Sequence, residues 1–81
     1  MNIRFEFFGV MQRLAGGAAL EVELKRSVTI ADALDELAAL RPELRLELTR
    51  CAVASGDAIV LRRDGIADGS TLALLPPVAG G

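Results

Sequence analysis

The segment Thr71–Leu75 restricts the possible folds more than any other part of this 81-residue chain. Its apolar character is nearly continuous, whereas a strand with one face in water alternates apolar and polar residues. We therefore predict a strand that is apolar on both faces and lies in the middle of a mixed sheet, beside the first strand. Eighty-one residues make one small domain, near the size where a single core is only marginally sufficient.

The N-terminal segment has the alternation that the last strand lacks. In Asn2–Phe8 every second residue is apolar, which is typical of a half-buried strand, and Phe8 adds an apolar group to the solvent face. Leu20–Lys25 alternates in the same way, so we predict a first hairpin whose strands are joined by a loop over residues 9–17. The residues of the first strand that we expect in the core are Ile3, Phe5 and Phe7.

One amphipathic helix is predicted after the hairpin. Thr29 can cap its first turn, and Asp32 stands at the position that bonds back to the cap. Pro42 cannot continue a helix, so the helix is expected to end near Leu40 or Arg41. The apolar residues at helical spacing are Ile30, Ala33, Leu34, Leu37 and Leu40.

The remaining elements complete an α+β pattern. Residues 42–50 combine strand-like alternation with helix-forming residues, and we expect a short helical turn or an irregular segment there. Residues 51–54 and 58–61 read as two strands joined by a turn. The order predicts a β-grasp fold, a mixed sheet with one main helix across it. The expected organisation is a domain over residues 1–75 and an extended tail over residues 76–81.

Composition excludes several classes of function. A net charge of −2 and a pI near 5.0 provide no basic surface for nucleic acid or for an anionic membrane. No apolar run approaches the length of a transmembrane helix. The chain has no His and one Cys, so we expect no metal site and no disulfide. These features lead us to expect a cytoplasmic protein.

The tail combines two prolines with two glycines. Pro76 and Pro77 fix φ and lack N–H donors, so the stem is expected to be extended and stiff. Gly80 and Gly81 have no Cβ and can enter a slot too narrow for other residues. Six residues reach at most about 20 Å, which is enough to place the carboxylate of Gly81 in a partner's active site.

Together these features resemble the small subunit of molybdopterin synthase, a sulfur carrier of the MoaD/ThiS family. The resemblance covers the full length and is most specific in the tail. The matching residues are Phe8-Gly9, Arg13, Gly16, Thr29–Leu34, Asp68-Gly69, Leu75, Pro76, Pro77, Val78, Ala79, Gly80 and Gly81. Ser55 and Ser70 replace the Asn and Asp that are common in the family, and both are turn positions.

The resemblance implies a defined chemistry at Gly81. An adenylating enzyme would consume ATP to make an acyl-adenylate, and a sulfur donor such as a cysteine desulfurase or rhodanese would convert it to a thiocarboxylate. The synthase large subunit, in a heterotetramer, would then use this sulfur to build the dithiolene of molybdopterin from cyclic pyranopterin monophosphate. The chain would be non-catalytic alone and would hold no permanent cofactor. Gly80, Ala79, Val78, Pro77 and Pro76 would provide access for the tail.

Docking and local roles are assigned from the residue pattern. We predict that Phe8, Leu74 and Leu75 contact both partners in turn, since exchange between them requires overlapping surfaces. Cys51 is expected to be a packing residue, because the chain has no His to activate a thiol. We interpret Arg62-Arg63 as a solvated turn.

Three alternatives to the molybdopterin branch stay open from the sequence. The first is a carrier for thiazole or another sulfur pathway, against which Pro76-Pro77-Val78 weighs. The second is a ubiquitin-like modifier that forms isopeptide bonds with lysines. The third is a noncovalent β-grasp adaptor. Lysine conjugates would favour the second, and activity without the tail would favour the third.

Overall fold

A five-stranded mixed sheet forms the centre of the computed structural model, which describes residues 1–77. The strands lie in the order β2-β1-β5-β3-β4. β1 and β5 are parallel, and the other neighbouring pairs are antiparallel. The strands are β1 (Asn2–Phe7), β2 (Ala19–Glu23), β3 (Ala52–Ser55), β4 (Ala58–Val60) and β5 (Thr71–Leu75). The predicted β-grasp is thus confirmed, with the last strand in the middle beside the first.

The helices cover one face of this sheet. They are α1 (Val10–Ala15), α2 (Ile30–Leu40) and α3 (Arg45–Arg50), with a 3₁₀ turn at Pro42–Leu44 before α3. No helix within residues 1–77 has the length and apolarity needed to cross a bilayer. The loop predicted over residues 9–17 is wrong in part, because α1 lies inside it, with Met11 and Ala15 buried.

The capping prediction for α2 is confirmed. The Thr29 hydroxyl accepts a hydrogen bond from the Asp32 backbone N–H at 3.2 Å, and the Asp32 carboxylate accepts from the Thr29 N–H at 3.1 Å. The same carboxylate accepts from the Val28 N–H, so the pKa of Asp32 lies below its ordinary value. The helix ends at Leu40, as expected before Pro42.

One core lies between the helices and the sheet. We call the sheet surface toward the helices the covered face and the opposite surface the open face. The buried residues of the covered face are Ile3, Phe5, Phe7, Val22, Val53, Leu72 and Leu74. The helical layer contributes Met11, Ala15, Ile30, Ala33, Leu34, Leu37, Leu44 and Leu48. Phe5 and Phe7 therefore lie in the core, as the alternation predicted.

Candidate functional site

The root of the tail lies at the centre of the sheet. Because β1 and β5 are parallel and Phe7 is paired with Leu74, both strands leave the sheet at the same end. β5 continues into Pro76, which is half-buried, and Pro77, which is exposed. Proline has no N–H to add to a ladder, so the pairing of β5 stops where the tail begins.

Val78, Ala79, Gly80 and Gly81 lie outside the described residues. Their roles as the reacting residue and its access segment therefore stay predictions from the sequence. The described part shows only where the stem starts and what surrounds it.

Three large apolar residues lie on the open face or at its edge. Ala54 pairs with both Ala73 and Ile59, so these residues share one face of β5, β3 and β4. Leu75 follows Ala73 by two positions and belongs to the same face. Phe8 follows the inward-facing Phe7 and is 43% exposed, and Ile59 is 63% exposed.

The open-face apolar residues, Phe8, Ile59 and Leu75, flank the root of the tail. The small side chains of Ala54 and Ala73 lie between Leu75 and Ile59, which leaves an apolar surface without high ridges. Ile59 was not among the contact residues predicted from the sequence. Strand alternation, counted outward from the turn at residues 55–57, groups Ile59 with Ala54, but only the packing of the helices decides that this face stays open.

Leu74 is a correction to the predicted contact surface. It is 0% exposed and pairs with the buried Val53 and Phe7 on the covered face. A side chain in the core cannot touch a partner, so the prediction that Leu74 is an interface residue is wrong. The alternation of β5 assigns Leu74 to stability and leaves Leu75 on the open face.

Charged residues border the apolar part of the open face. The Arg4 guanidinium lies 3.5 Å from the Glu6 carboxylate and 3.4 Å from that of Glu21, and the exposed fractions of the Arg4, Glu6 and Glu21 side chains are 46%, 38% and 78%. Exposed ion pairs of this kind contribute about 0–1 kcal/mol to stability. They form the charged border of the apolar surface. A cavity of about 250 Å³ lies between this network and Phe8.

Cys51 is unsuited to carrying sulfur. Its side chain is 2% exposed, and burial raises the pKa of its thiol above the ordinary value, so the reactive thiolate is disfavoured. Within residues 1–77, no group of three or more His, Cys, Asp or Glu side chains is placed to hold a metal ion. The predicted packing role of Cys51 is confirmed.

Arg62 has a more specific role than the predicted solvated turn. Its Nη2 donates hydrogen bonds to the carbonyl oxygens of Leu48 at 2.7 Å and Cys51 at 2.9 Å. These carbonyls lie at the C-terminal end of α3, where a cation also complements the helix dipole. Arg63 lies in the same turn and is exposed.

The fold, with its last strand in the middle of the sheet, defines a ubiquitin-like β-grasp protein. A family model described as the ThiS family matches residues 5–81. The chain therefore belongs to the ThiS/MoaD family of sulfur carriers. A search of curated proteins found no significant match.

Solved structures share the fold over nearly the full chain. SAMP1 from Haloferax volcanii has a TM-score of 0.83 and 26% identity, with 100% of each chain covered. Subunit 1 in the complex of subunits 1 and 2 of molybdopterin-converting factor from Helicobacter pylori 26695 has a TM-score of 0.68 and 24% identity, again with 100% of each chain covered. In the Amycolatopsis orientalis BexX/CysO complex, the matching chain has a TM-score of 0.74 and 23% identity, with 98% of this chain and 99% of that chain covered.

Proposed function

We propose that the chain is the sulfur-carrying small subunit of molybdopterin synthase and that Gly81 carries the sulfur. The main support is the amino-acid sequence from Leu75 to Gly81, together with the position of its first residues, since Leu75 ends the central strand and Pro76 follows beside exposed apolar residues. A stem of this kind carries a reactive end away from the body, while the open face holds the partner.

The chemistry requires activation, because a carboxylate is a poor acceptor for a nucleophile. An adenylating enzyme joins the Gly81 carboxylate to AMP from ATP and releases pyrophosphate. The persulfide of a donor such as a cysteine desulfurase or rhodanese then displaces AMP and forms an acyl disulfide. A thiol reductant cleaves its S–S bond, which leaves the thiocarboxylate on Gly81 and a disulfide on the thiol side. The thiocarboxylate is an ionised sulfur nucleophile, suited to attack on cyclic pyranopterin monophosphate.

Docking uses the open-face apolar residues. The activating enzyme and the synthase large subunit must both hold the same tail, so they bind overlapping surfaces in turn. Chains of similar fold occur in complexes with a second subunit in Helicobacter pylori and with BexX in Amycolatopsis orientalis. The exposure of Phe8 and Ile59 supports an apolar contact here.

A ubiquitin-like modifier is the second candidate function. The observation in its favour is the 26% identity with SAMP1 from Haloferax volcanii, a small archaeal modifier protein. In that case the activated Gly81 would be attacked by a lysine amine of another protein. The carrier proposal predicts a thiocarboxylate, and the modifier proposal predicts lysine conjugates on gels. A carrier for thiazole synthesis would form the same thiocarboxylate as a molybdopterin carrier. The two differ only in the molecule that accepts the sulfur.

Intact-mass measurement tests the proposal. The full chain is incubated with ATP, the adenylating enzyme and a sulfur source, and we expect one oxygen-to-sulfur exchange localised to Gly81. A variant with one residue appended after Gly81 is the control and should gain no sulfur. Reconstitution with the large subunit and cyclic pyranopterin monophosphate then assigns the branch. Sulfur exchange in the appended variant, or none in the wild type, contradicts the carrier role.

A further inference from the structure

The turn between β1 and α1 contains a backbone conformation that only glycine adopts easily. Gly9 has φ 59° and ψ −134°, a combination found at the first central position of a type II′ turn. An L-residue with a Cβ is strained at this φ. Gly9 therefore turns the chain sharply from the end of β1 into α1.

The missing side chain of Gly9 also makes room for the tail. A Cβ built on Gly9 would lie 3.2 Å from Cγ of Pro76, closer than an ordinary contact. Three other glycines in residues 1–77 have a positive φ, and a Cβ on any of them would meet nothing within 4 Å. They are Gly16, Gly56 and Gly69. Gly9 therefore combines a glycine conformation with close contact to the stem.

Both sides of this contact are fixed to the body of the protein. The Gly9 carbonyl accepts a hydrogen bond from the Gln12 N–H at 3.1 Å, and α1 is held by the fully buried Met11. On the other side, Leu75 is paired with Ala52 in the sheet. Because neither side can yield freely, the contact determines where Pro76 lies.

We propose that Gly9 is a positioning residue for the reactive tail. Its bare backbone lets Pro76 lie against the β1–α1 turn, and this contact sets the direction in which the stem leaves the sheet. Pro76 and Pro77 both have a fixed φ, so a direction set at Pro76 carries forward along the stem. The inference rests on the proposed function and adds a residue that acts through Pro76 and touches no reacting atom.

The physical consequence is preorganisation. A stem that already points along one direction loses little conformational freedom when a partner takes it up, whereas a stem that must be redirected loses more. The effect should appear in the KM for the chain as a substrate of the adenylating enzyme. Once the tail is seated, the chemistry at Gly81 is the same, so kcat should change little.

ATP–pyrophosphate exchange by the adenylating enzyme measures both constants for the full chain. For Gly9→Ala we expect KM to rise about tenfold, roughly the cost of ordering one flexible side chain, with kcat close to that of the wild type. Gly56→Ala is the matched control, because its φ of 61° gives similar strain in open space. It should leave both constants close to the wild type, and thermal unfolding should show that each variant is folded at the assay temperature.

A second variant separates the contact from backbone strain. Pro76→Ala removes the Cγ atom that a side chain at position 9 would meet, and it also loosens the stem. If Gly9 acts through Pro76, the two changes affect the same step, so the double variant should have a KM no higher than the worse single variant. If the KM increases of the two single variants multiplied in the double variant, Gly9 would act independently of Pro76.

The outcomes separate this inference from the proposed function. If the wild-type chain supports no exchange, the proposed function fails. If the wild type is active, the positioning role is overturned by a folded Gly9→Ala with unchanged KM, by equal KM increases in Gly9→Ala and Gly56→Ala, or by multiplying effects in the double variant. The positioning role is supported if KM rises in Gly9→Ala and not in Gly56→Ala, and if the double variant has a KM no higher than that of the worse single variant.

Discussion

The two faces of the sheet are built from alternate residues of the same strands, and they serve different purposes. The covered face is mainly apolar, with Ser55 beside Leu72 as a polar exception, and it packs against α2 and the shorter helices. The open face combines a charged border around Arg4 with the apolar Phe8, Ile59 and Leu75. Stability thus depends on one face, and the proposed docking depends on the other.

Leu74 and Leu75 show the difference most directly. They are identical neighbours in β5, yet Leu74 is fully buried and Leu75 is only half-buried. A strand turns successive side chains to opposite faces, so one step along the chain changes the role of a leucine. The comparison teaches that a strand apolar on both faces can support a core and a binding surface together.

The largest effect is expected from truncating these two leucines. Leu74→Ala should lower the free energy of unfolding by about 2–5 kcal/mol, since it leaves a cavity in the core. Leu75→Ala should cost clearly less, because solvent already reaches that side chain. Urea denaturation followed by circular dichroism measures both. Equal losses of unfolding free energy in the two variants would show that the open face contributes to stability as much as the covered face does.

A charge on the open face should affect binding and leave the fold intact. Ile59→Asp is expected to raise the dissociation constants for the adenylating enzyme and the large subunit by about 10- to 100-fold, because an apolar contact would have to bury a carboxylate. Its free energy of unfolding should change by about 0.5 kcal/mol or less.

Leu40→Asp provides the matched control for this measurement. Leu40 is 58% exposed, close to the 63% of Ile59, but it lies at the end of α2 and not on the open face. Calorimetric titration should show unchanged binding for Leu40→Asp. Equal weakening by both variants would place the docking surface elsewhere.

A smaller effect is expected in the helical layer. Arg62→Met removes the hydrogen bonds to the carbonyls of Leu48 and Cys51 and should cost about 1 kcal/mol of stability. Hydrogen exchange should report the loss first in α3. Arg63→Met is the control, since the exposed Arg63 side chain makes no hydrogen bond or ion pair with the described part of the chain. Equal losses would mean that the cap contributes nothing.

The smallest effect is a pH dependence at the loop that leads into α2. The Glu36 carboxylate accepts hydrogen bonds from the Lys25 and Arg26 backbone N–H groups and from the Ser27 hydroxyl, which lowers its pKa from 4.5 to about 2. The folded pKa lies below the unfolded one, so the stabilisation is complete above about pH 4.5 and is lost as the pH falls toward 2.

Glu36→Gln should therefore be less stable than the wild type near neutral pH, with a difference that shrinks on acidification. Denaturant unfolding at a series of pH values from neutral to about 2 measures this difference. Asp35→Asn controls for the loss of one negative charge from α2. A difference between Glu36→Gln and the wild type that stayed constant with pH would exclude this hydrogen-bonded role.

Most of the fold was predictable because its signals are local. The alternation of apolar and polar residues identified β1 and β2, and the pairing of Thr29 with Asp32 identified the start of α2. The apolar residues on both faces of β5 indicated its central position in the sheet. Each of these follows from residues a few positions apart. The tail, the most specific part of the candidate site, was likewise read directly from Leu75–Gly81.

Short helices were less predictable, for a physical reason. α1 has six residues, too few to be stable alone, and it depends on burying Met11 and Ala15 against other elements. In residues 42–50 the spacing of Leu44 and Leu48 fits both a helix turn and a strand. The burial of both residues in the assembled core selects the helix.

The sequence by itself determined the strand alternation, the helix cap and the presence of a stiff stem before two glycines, because these depend on neighbouring residues. Only the tertiary structure decided that Leu74 is core, that Ile59 joins the open face and that Gly9 meets Pro76. These depend on which face the helices cover and on contacts between residues far apart in the chain. Local patterns carry no information about either until the strands are in register.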